Sequence, residues 1–454
     1  MTVDIVILAA GQGTRMKSLL PKVLHRLADK PLLQHVINMA KTIPDSNITI
    51  VTGYASEQIQ NSVVGEDLKY VYQAEQLGTA NAVQTATPDL DSHGITLILY
   101  GDVPLISSKT VLSTLKVVNN NTMGLLTVVL EKPEGYGRIV RDLKGNVCGI
   151  VEQKDAKPQE LEIQEINTGV LAIRTNLLQK CLPQIGNDNA QKEYYLTDLI
   201  SIAHKAGIKI EAVNPSSPEE VEGVNTRKQL SRLERLYQQE QAEKLMVNGA
   251  TLADPLRVDI RGTVSCGIDA FIDINTVFEG EVKIGKNVSI GPNCLIIESS
   301  IGDNVKIKAN TIIENSTICN GVEVGPFARV RPRTLLSDNS KIGNFVEVKN
   351  TEVGKGSKIS HLSYVGDSKL GKDVNVGAGT ITCNYDGANK NKTIMGDGSF
   401  IGSNASLVAP VTIGKNATIG AGSTITKDVP DNELSVSRSR QLNKSGWIRP
   451  KKKK

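Results

Sequence analysis

Residues equipped for chemistry gather in two stretches of this 454-residue chain. The first is Leu8-Ala9-Ala10-Gly11-Gln12-Gly13-Thr14-Arg15-Met16, which follows the apolar run Val3 to Leu8 and leads into helix-compatible sequence. Glycines in such a turn offer backbone N–H groups to phosphate, and Arg15 adds charge-assisted donors. The plain alternative is a dinucleotide fingerprint, but Met16 fills its third glycine position and a cation stands in the loop. That combination suits a triphosphate being cut better than a pyrophosphate being held. Lys22 supplies a second cation, and Asp102 ends another apolar run, where a carboxylate serves either as a turn cap or as a metal ligand.

The second stretch lies in a six-residue repeat. Arg331 and Lys349 directly follow the inward positions Val330 and Val348, so both point outward, and they are eighteen residues apart, one coil of three sixes. Two cations one strand spacing apart repel unless an anion lies between them. Arg329 stacks over Glu347 as an ion pair by the same count, which leaves Arg331 and Lys349 without a counter-charge. The alternative is a solvated basic face. His361 stands two residues beyond Ile359 at a coil corner, and an imidazole can accept a proton near neutrality. A structural or merely exposed histidine is the alternative. Tyr364 and Asn375 also face out. Val376 to Met395 is nineteen residues, one more than three sixes, and the polar segment Asn384 to Lys392 breaks the repeat there. Such a loop is a usual place for binding residues, although a neutral insertion has the same composition.

The elements that must position these residues follow from periodicity. From Met1 to about Asn225, apolar runs (Val3 to Leu8, Ile48 to Val51, Ile95 to Tyr100, Leu125 to Leu130) alternate with helical stretches such as Pro31 to Thr42, which predicts a sheet covered by helices on both faces. Residues 226–250 read as one linking helix, with Leu230, Leu233, Leu236, Tyr237 and Leu245 on a face and Gly249 as the stop. Residues 251–436 count in sixes. Ile401, Leu407, Ile413, Ile419 and Ile425 each follow, by two, a small residue (Ser399, Ala405, Val411, Ala417, Ser423), and Ile318 to Val348 repeats the pattern. Side chains two apart on a strand face the same way, so each unit sends one aliphatic and one small residue inward, as in a parallel β-helix. Ten coils or so, roughly 50 Å of stacked strands, are expected. Residues 437–454 lose the repeat.

Lysine and arginine exceed aspartate and glutamate by four (52 against 48), and four lysines form the run Lys451 to Lys454. The remainder balances, so no nucleic-acid footprint is expected, and the run reads as a solvated tail or an anchor for an anionic partner. Cys148, Cys181, Cys266, Cys294, Cys319 and Cys383 lie far apart without zinc or redox spacing. No basic leader precedes Val3 to Ala10, and no apolar run approaches eighteen residues. A reduced, cytoplasmic, soluble protein without membrane contact is expected.

Leu8 to Met16 followed by Pro21-Lys22 resembles the signature of the sugar-phosphate nucleotidylyltransferases, which have a Rossmann-like fold. An ordered series agrees: Gln73-Ala74-Glu75-Gln76-Leu77-Gly78-Thr79, Tyr100-Gly101-Asp102-Val103-Pro104, Gly135-Tyr136-Gly137-Arg138, Ile150-Val151-Glu152, Glu165-Ile166-Asn167-Thr168-Gly169 and Val221-Glu222-Gly223-Val224-Asn225. Pro326 to Pro332, Gly343 to Lys349 and Gly377 to Gly387 extend the resemblance to the bacterial family joining N-acetylglucosamine-1-phosphate uridylyltransferase to glucosamine-1-phosphate N-acetyltransferase. It covers nearly the whole chain and is weakest at 119–121, at 154–161 and after Ser439.

The resemblance implies an α/β Rossmann-like domain, a left-handed parallel β-helix, and a homotrimer with acetyl-transfer sites between subunits. It implies Mg²⁺ held by Asp102 and Asn225, with UTP and acetyl-CoA as co-substrates. Leu8, Ala9, Ala10, Gly11, Lys22, Gln73, Gly78, Thr79, Tyr100, Gly101, Asp102 and Asn225 would bind the nucleotide sugar, with Gly137, Glu152 and Asn167 toward the sugar; Arg15 and Lys22 would neutralise phosphate charge. Arg331, Lys349, Tyr364 and Asn375 would bind glucosamine 1-phosphate, His361 would be the general base, and Glu347 would orient histidine or substrate. Ala378, Asn384, Tyr385, Ser403, Ala421 and Arg438 correspond to acetyl-CoA positions, with the Ala378 N–H as oxyanion donor. Two rival readings are a nucleotidylyltransferase whose β-helix only assembles subunits, and a binding protein that has lost its chemistry. The second has no need of Arg15, Lys22, Asp102 and Asn225 together.

Overall fold

A computed structural model of the chain describes residues 2–452; Lys453 and Lys454, the end of the lysine run, lie outside the described residues. The chain forms two compact units, Met1–Tyr237 and Gln238–Lys454.

The first unit is built on the strand Val3–Leu8, all six residues of which are buried. Burial on both faces requires an unbroken apolar run. Its odd positions Val3, Ile5 and Ile7 pack with Leu33, Val36 and Ile37 of the helix Leu32–Ala40. Val6 and Leu8 pack on the other side with Ala80 and Val83 of the helix Thr79–Ala86. Parallel strands flank it, Ser46–Thr52 on one side and Ile95–Tyr100 on the other. The sheet continues beyond Ser46–Thr52 with Leu68–Tyr72. Beyond Ile95–Tyr100 it continues with Glu165–Arg174, antiparallel to its neighbours, then Thr122–Val129 and Lys209–Val213. Strand order thus reverses at Val3–Leu8, and Leu8 and Tyr100 end side by side there. Ligands enter an open α/β sheet at such a reversal, beyond the carboxyl ends of the strands.

The helix Arg227–Val247 crosses the division between the units. Its Leu233 is buried with Met16, Leu27, Leu32 and Val224 in the first unit. Ala242 and Leu245 join the core of the second unit, and Gly249 follows at φ 97°, a conformation suited to glycine at a helix end.

The second unit is a left-handed parallel β-helix. Eleven strands, from Thr251–Leu252 to Leu434–Ser435, stack along one face, and a second stack of seventeen supplies the others. Every inward position expected from the six-residue count is buried, from Ile318 at 1% exposure to Ile425 at 3%. The coil length is less regular than three sixes: Ile290 pairs with Ile307, seventeen on, while Val324 pairs with Ile342, eighteen on. Corners absorb the difference. Asn275, Asn293 and Asn310 occupy one corner with φ of 58–59°, a left-handed conformation that asparagine tolerates. Their side chains form a column, Asn275 Nδ2 donating to Asn293 Oδ1 at 2.8 Å. The column then turns apolar at Phe327, Phe345 and Leu362, also left-handed and all exposed. The two phenyl rings stack with centroids 5.3 Å apart.

The polar segment is a larger excursion than the interval from Val376 to Met395 indicates. Val376 pairs with Ile401, twenty-five residues on, whereas Met395 belongs to another face and pairs with Leu370. The surplus leaves the coil at Asn384 and returns through Asn391, whose N–H donates to the Asn384 carbonyl at 2.8 Å.

Candidate active sites

In the first unit, the turn after Val3–Leu8 brings the expected cations onto the expected oxygens. Gly13 has φ 70°, and a Cβ there would overlap the Lys22 side chain, so glycine is needed for both backbone shape and space. Lys22 Nζ, packed over it, pairs with Asp102 Oδ2 and also donates to Asn225 Oδ1 at 3.1 Å. Arg15 Nη2 donates to that same Asn225 oxygen at 2.8 Å. Asn225 is held from behind: its N–H donates to Gln229 Oε1 at 3.0 Å, and the neighbouring Val224 N–H donates to the Asp102 carbonyl at 2.9 Å. Two oxygens from distant segments therefore meet at one ammonium group. A hard divalent ion that needs few protein oxygens fits this donor set.

Beside this cluster opens a cavity of about 310 Å³ lined by Leu8, Ala9, Ala10, Gly11, Gln73, Gly78, Thr79, Tyr100 and Asp102, all expected, and by Gln76 and Glu193, which were not. The buried Gln73 donates through Nε2 to Asn81 Oδ1 at 2.7 Å, which fixes the orientation of its amide. Gly78 has φ 124° and lies so close to Tyr194 that a Cβ would approach its carbonyl to 2.5 Å. Thr79 Oγ1 accepts from the Leu196 N–H at 3.0 Å. The segment Glu193 to Thr197 thus forms a wall of the cleft without any motif to announce it.

The sugar-side residues are also neighbours. The Asn167 N–H donates to the Gly137 carbonyl at 2.9 Å. A Cβ on Gly137 would lie 3.3 Å from Glu152 Oε1. Burial pushes the Glu152 carboxyl above its usual range, while a hydrogen bond from Thr197 opposes the shift. The Tyr100 hydroxyl is pushed up chiefly by burial, then by Glu152 and Asp102.

In the β-helix, Arg331 does not stand uncompensated. Arg331 Nη1 pairs with Glu347 Oε1 at 2.8 Å, and Arg329 turns instead to Glu314, Nε to Oε2 at 3.1 Å. Backbone register does place Arg329 beside Glu347, but a long side chain selects its partner by reach rather than by register. Glu347 is therefore engaged with Arg331, and His361 is oriented by another residue: its Nδ1 lies 2.5 Å from Asn344 Oδ1. The amide oxygen only accepts, so Nδ1 is the nitrogen that carries the proton of a neutral ring, which leaves Nε2 to accept one. Asn344 and His361 pair across adjacent coils.

The corner at Leu362 carries the chain from the face bearing His361 to the face bearing Tyr364, which lies in register with Glu347. Asn375 is on the His361 face, paired with Lys358. Lys349 is held below an ordinary lysine value by Lys390 first, then by burial and by Arg331, while Asp367 acts the other way. Lys390, from the excursion, is thus a third cation at this face. Its sequence neighbourhood, a polar loop, gave it no distinguishing pattern.

Across Gly366, whose added Cβ would fall 2.5 Å from Tyr364 Oη and 3.0 Å from Asn384 Nδ2, the tyrosine adjoins the start of the loop. Tyr385 is exposed and donates to the Gly387 carbonyl at 2.6 Å. Arg438 Nη1 donates to the Ala421 carbonyl at 2.8 Å, and the Ser403 carbonyl accepts from Gly422 at 2.8 Å, which brings three of the expected acetyl-CoA positions together. Among the described residues the Ala378 N–H finds no hydrogen-bond partner.

Residues 5–168 match the profile of the MobA-like NTP transferase domain, 260–339 that of the GMPPB C-terminal domain, and 392–427 that of bacterial transferase hexapeptide repeats. Fold and cleft together define a nucleotidyltransferase carrying a hexapeptide-repeat transferase unit. The chain is 54% identical over 454 residues to a bifunctional protein GlmU from Idiomarina loihiensis and 55% identical over 452 residues to one from Alcanivorax borkumensis, covering 100% of each. It belongs to the GlmU family of bifunctional proteins.

Proposed function

We propose that the two units catalyse successive transfers that make UDP-N-acetylglucosamine. In the β-helix, the amine of glucosamine 1-phosphate attacks the thioester carbonyl of acetyl-CoA. The C–N bond forms, the C–S bond breaks, and the amine proton passes to Nε2 of His361. Arg331, Lys349 and Tyr364 hold the sugar phosphate with Asn375, and the Ala378 N–H donates to the developing oxyanion. Ala378, Asn384, Tyr385, Ser403, Ala421 and Arg438 hold acetyl-CoA. In the first unit, a phosphate oxygen of N-acetylglucosamine 1-phosphate attacks the α-phosphorus of UTP, and the bond to pyrophosphate breaks. Arg15 and Lys22 neutralise charge on the phosphates, and Gln73 with Thr79 reads the uracil edge. Asp102 and Asn225 would hold Mg²⁺, which supplies further charge neutralisation.

One observation carries the two-site reading: each unit has its own reactive cluster, Arg15-Lys22-Asp102-Asn225 in one, and in the other His361 held through Nδ1 by Asn344 with Lys349, Lys390 and Arg331 on the next face, where Tyr364 lies. A β-helix serving assembly alone has no use for the second. Homotrimer formation accounts for the exposed Phe327, Phe345 and Leu362 column, whose apolar residues sit in a backbone conformation they rarely adopt. No helix among the described residues is long and apolar enough to cross a membrane. The test is incubation of the protein with glucosamine 1-phosphate, acetyl-CoA, UTP and Mg²⁺, with products identified by mass. UDP-N-acetylglucosamine, CoA and pyrophosphate are expected; pyrophosphate release from supplied N-acetylglucosamine 1-phosphate without any acetylation would reduce the β-helix to a scaffold.

A further inference from the structure

Asp367 is a buried carboxylate that none of the roles above uses. It is 7% exposed and sits in a left-handed conformation, φ 49°. Its backbone is tied on both sides, its N–H donating to the Lys349 carbonyl at 2.9 Å and its carbonyl accepting from Thr393 at 3.3 Å. Asn350 Nδ2 donates to Oδ1 at 2.5 Å, and Asn384 Nδ2 donates to Oδ2 at 2.5 Å. An ionised carboxylate only accepts, so it dictates that Asn384 turns its NH₂ inward and presents its carbonyl oxygen away from Asp367. Asn384 is itself 7% exposed, close to Tyr364, and begins the loop.

We infer that Asp367 is a positioning residue for acetyl transfer, which locks the side-chain amide of Asn384 with its acceptor oxygen toward the substrates. The inference rests on the acetyltransferase reading of this unit. The column Asn350-Asp367-Asn384 allows only one polarity. Replacing Asp367 by asparagine keeps the shape but leaves one acceptor where two amides donate. With its oxygen kept toward Asn350 it turns an NH₂ on Asn384, which then rotates by half a turn so that its outward acceptor becomes a donor.

The decisive variants are D367N, N384D and the exchange D367N/N384D. D367N should lower kcat/KM for acetyl transfer by about 10- to 100-fold, the cost of one misdirected hydrogen bond. Uridylyl transfer in the same preparation should stay at the parental rate. N384D places two carboxylates side by side and should be no better. In the exchange, the amide introduced at position 367 donates to the carboxylate introduced at position 384, whose second oxygen again faces outward as an acceptor, so acetyl transfer should recover at least 5-fold over either single variant. A purely structural role predicts losses that add. D367N and D367L both acetylating at the parental rate, or an exchange variant no faster than the singles, would overturn the inference. Should D367N fail to fold, the exchange decides alone: recovery supports it and an equally unfolded chain refutes it. Absence of acetylation by the unmodified protein would instead remove the acetyltransferase reading itself.

Discussion

Replacing His361 by alanine separates the two activities most sharply. The imidazole is exposed, and its side-chain hydrogen bond is the one to Asn344, 2.5 Å from Nδ1. The backbone ladder that pairs residues 344 and 361 does not need the ring. Loss of stability should therefore stay near the ~1 kcal/mol of one exposed hydrogen bond. Loss of the general base should cost about 10²- to 10⁴-fold in acetyl transfer, ~3–5 kcal/mol of barrier. Asn344→Ala leaves the base in place but frees the ring to carry its proton on either nitrogen and to rotate, so a loss of about 10-fold is expected. Release of the CoA thiol measures the first reaction and release of pyrophosphate, in the same preparation, measures the second. Acetylation by His361→Ala at the parental rate would refute the base assignment. If Asn344→Ala were indistinguishable from the parent while His361→Ala was inactive, the tautomer argument would fail on its own.

Asp102→Ala leaves Lys22 and Arg15 facing only the Asn225 oxygen, and Mg²⁺-dependent pyrophosphate release should fall by about 10³-fold or more with acetyl transfer intact; a small, Mg²⁺-independent decrease would count against the ligand assignment. Gly13→Ala forces a side chain into Lys22 and a left-handed backbone, so uridylyl transfer should drop with a destabilisation of ~1–2 kcal/mol in the first unit, measured by denaturant unfolding alongside activity. Burial lowers the pKa of both His25 and His35 from 6.5. The folded state thus resists a proton that the unfolded chain accepts, and stability should be full above about pH 6.5 and decline as pH falls below it. His25→Gln with His35→Gln should flatten that slope; an unchanged slope would place its origin elsewhere.

The six-residue count identified the inward residues because a strand's alternation is fixed by covalent geometry, and Ser399 to Ile425 follow it throughout. It could not give coil length, which depends on corner residues such as Asn293 and Asn304; their recurrence at seventeen and eighteen is visible once corners are sought. The glycine loop was legible because a tight turn packed under a cation restricts residue type locally, as at Gly13 beneath Lys22. Its partner wall, Glu193 to Thr197, was not, since its contacts with Gly78 and Thr79 are made by main chain that any sequence supplies. Arg331 was assigned to the right face and the wrong electrostatic state. The face follows from parity, whereas the pairing with Glu347 follows from rotamers. Asn344 stood in a motif of the resemblance, and only the coil-to-coil pairing reveals that it touches His361.

The twenty-five-residue step from Val376 to Ile401 has a consequence for how such a unit can be assembled and altered. Every other coil along that face meets its predecessor sixteen to twenty residues along the chain, so growth can proceed coil upon coil with each finished turn templating the next. The excursion delays that advance once, and the strands after it still dock on those before. A solenoid of this kind keeps its growth rule in the strands, so the detour can be lengthened or recomposed without the growth rule being rewritten.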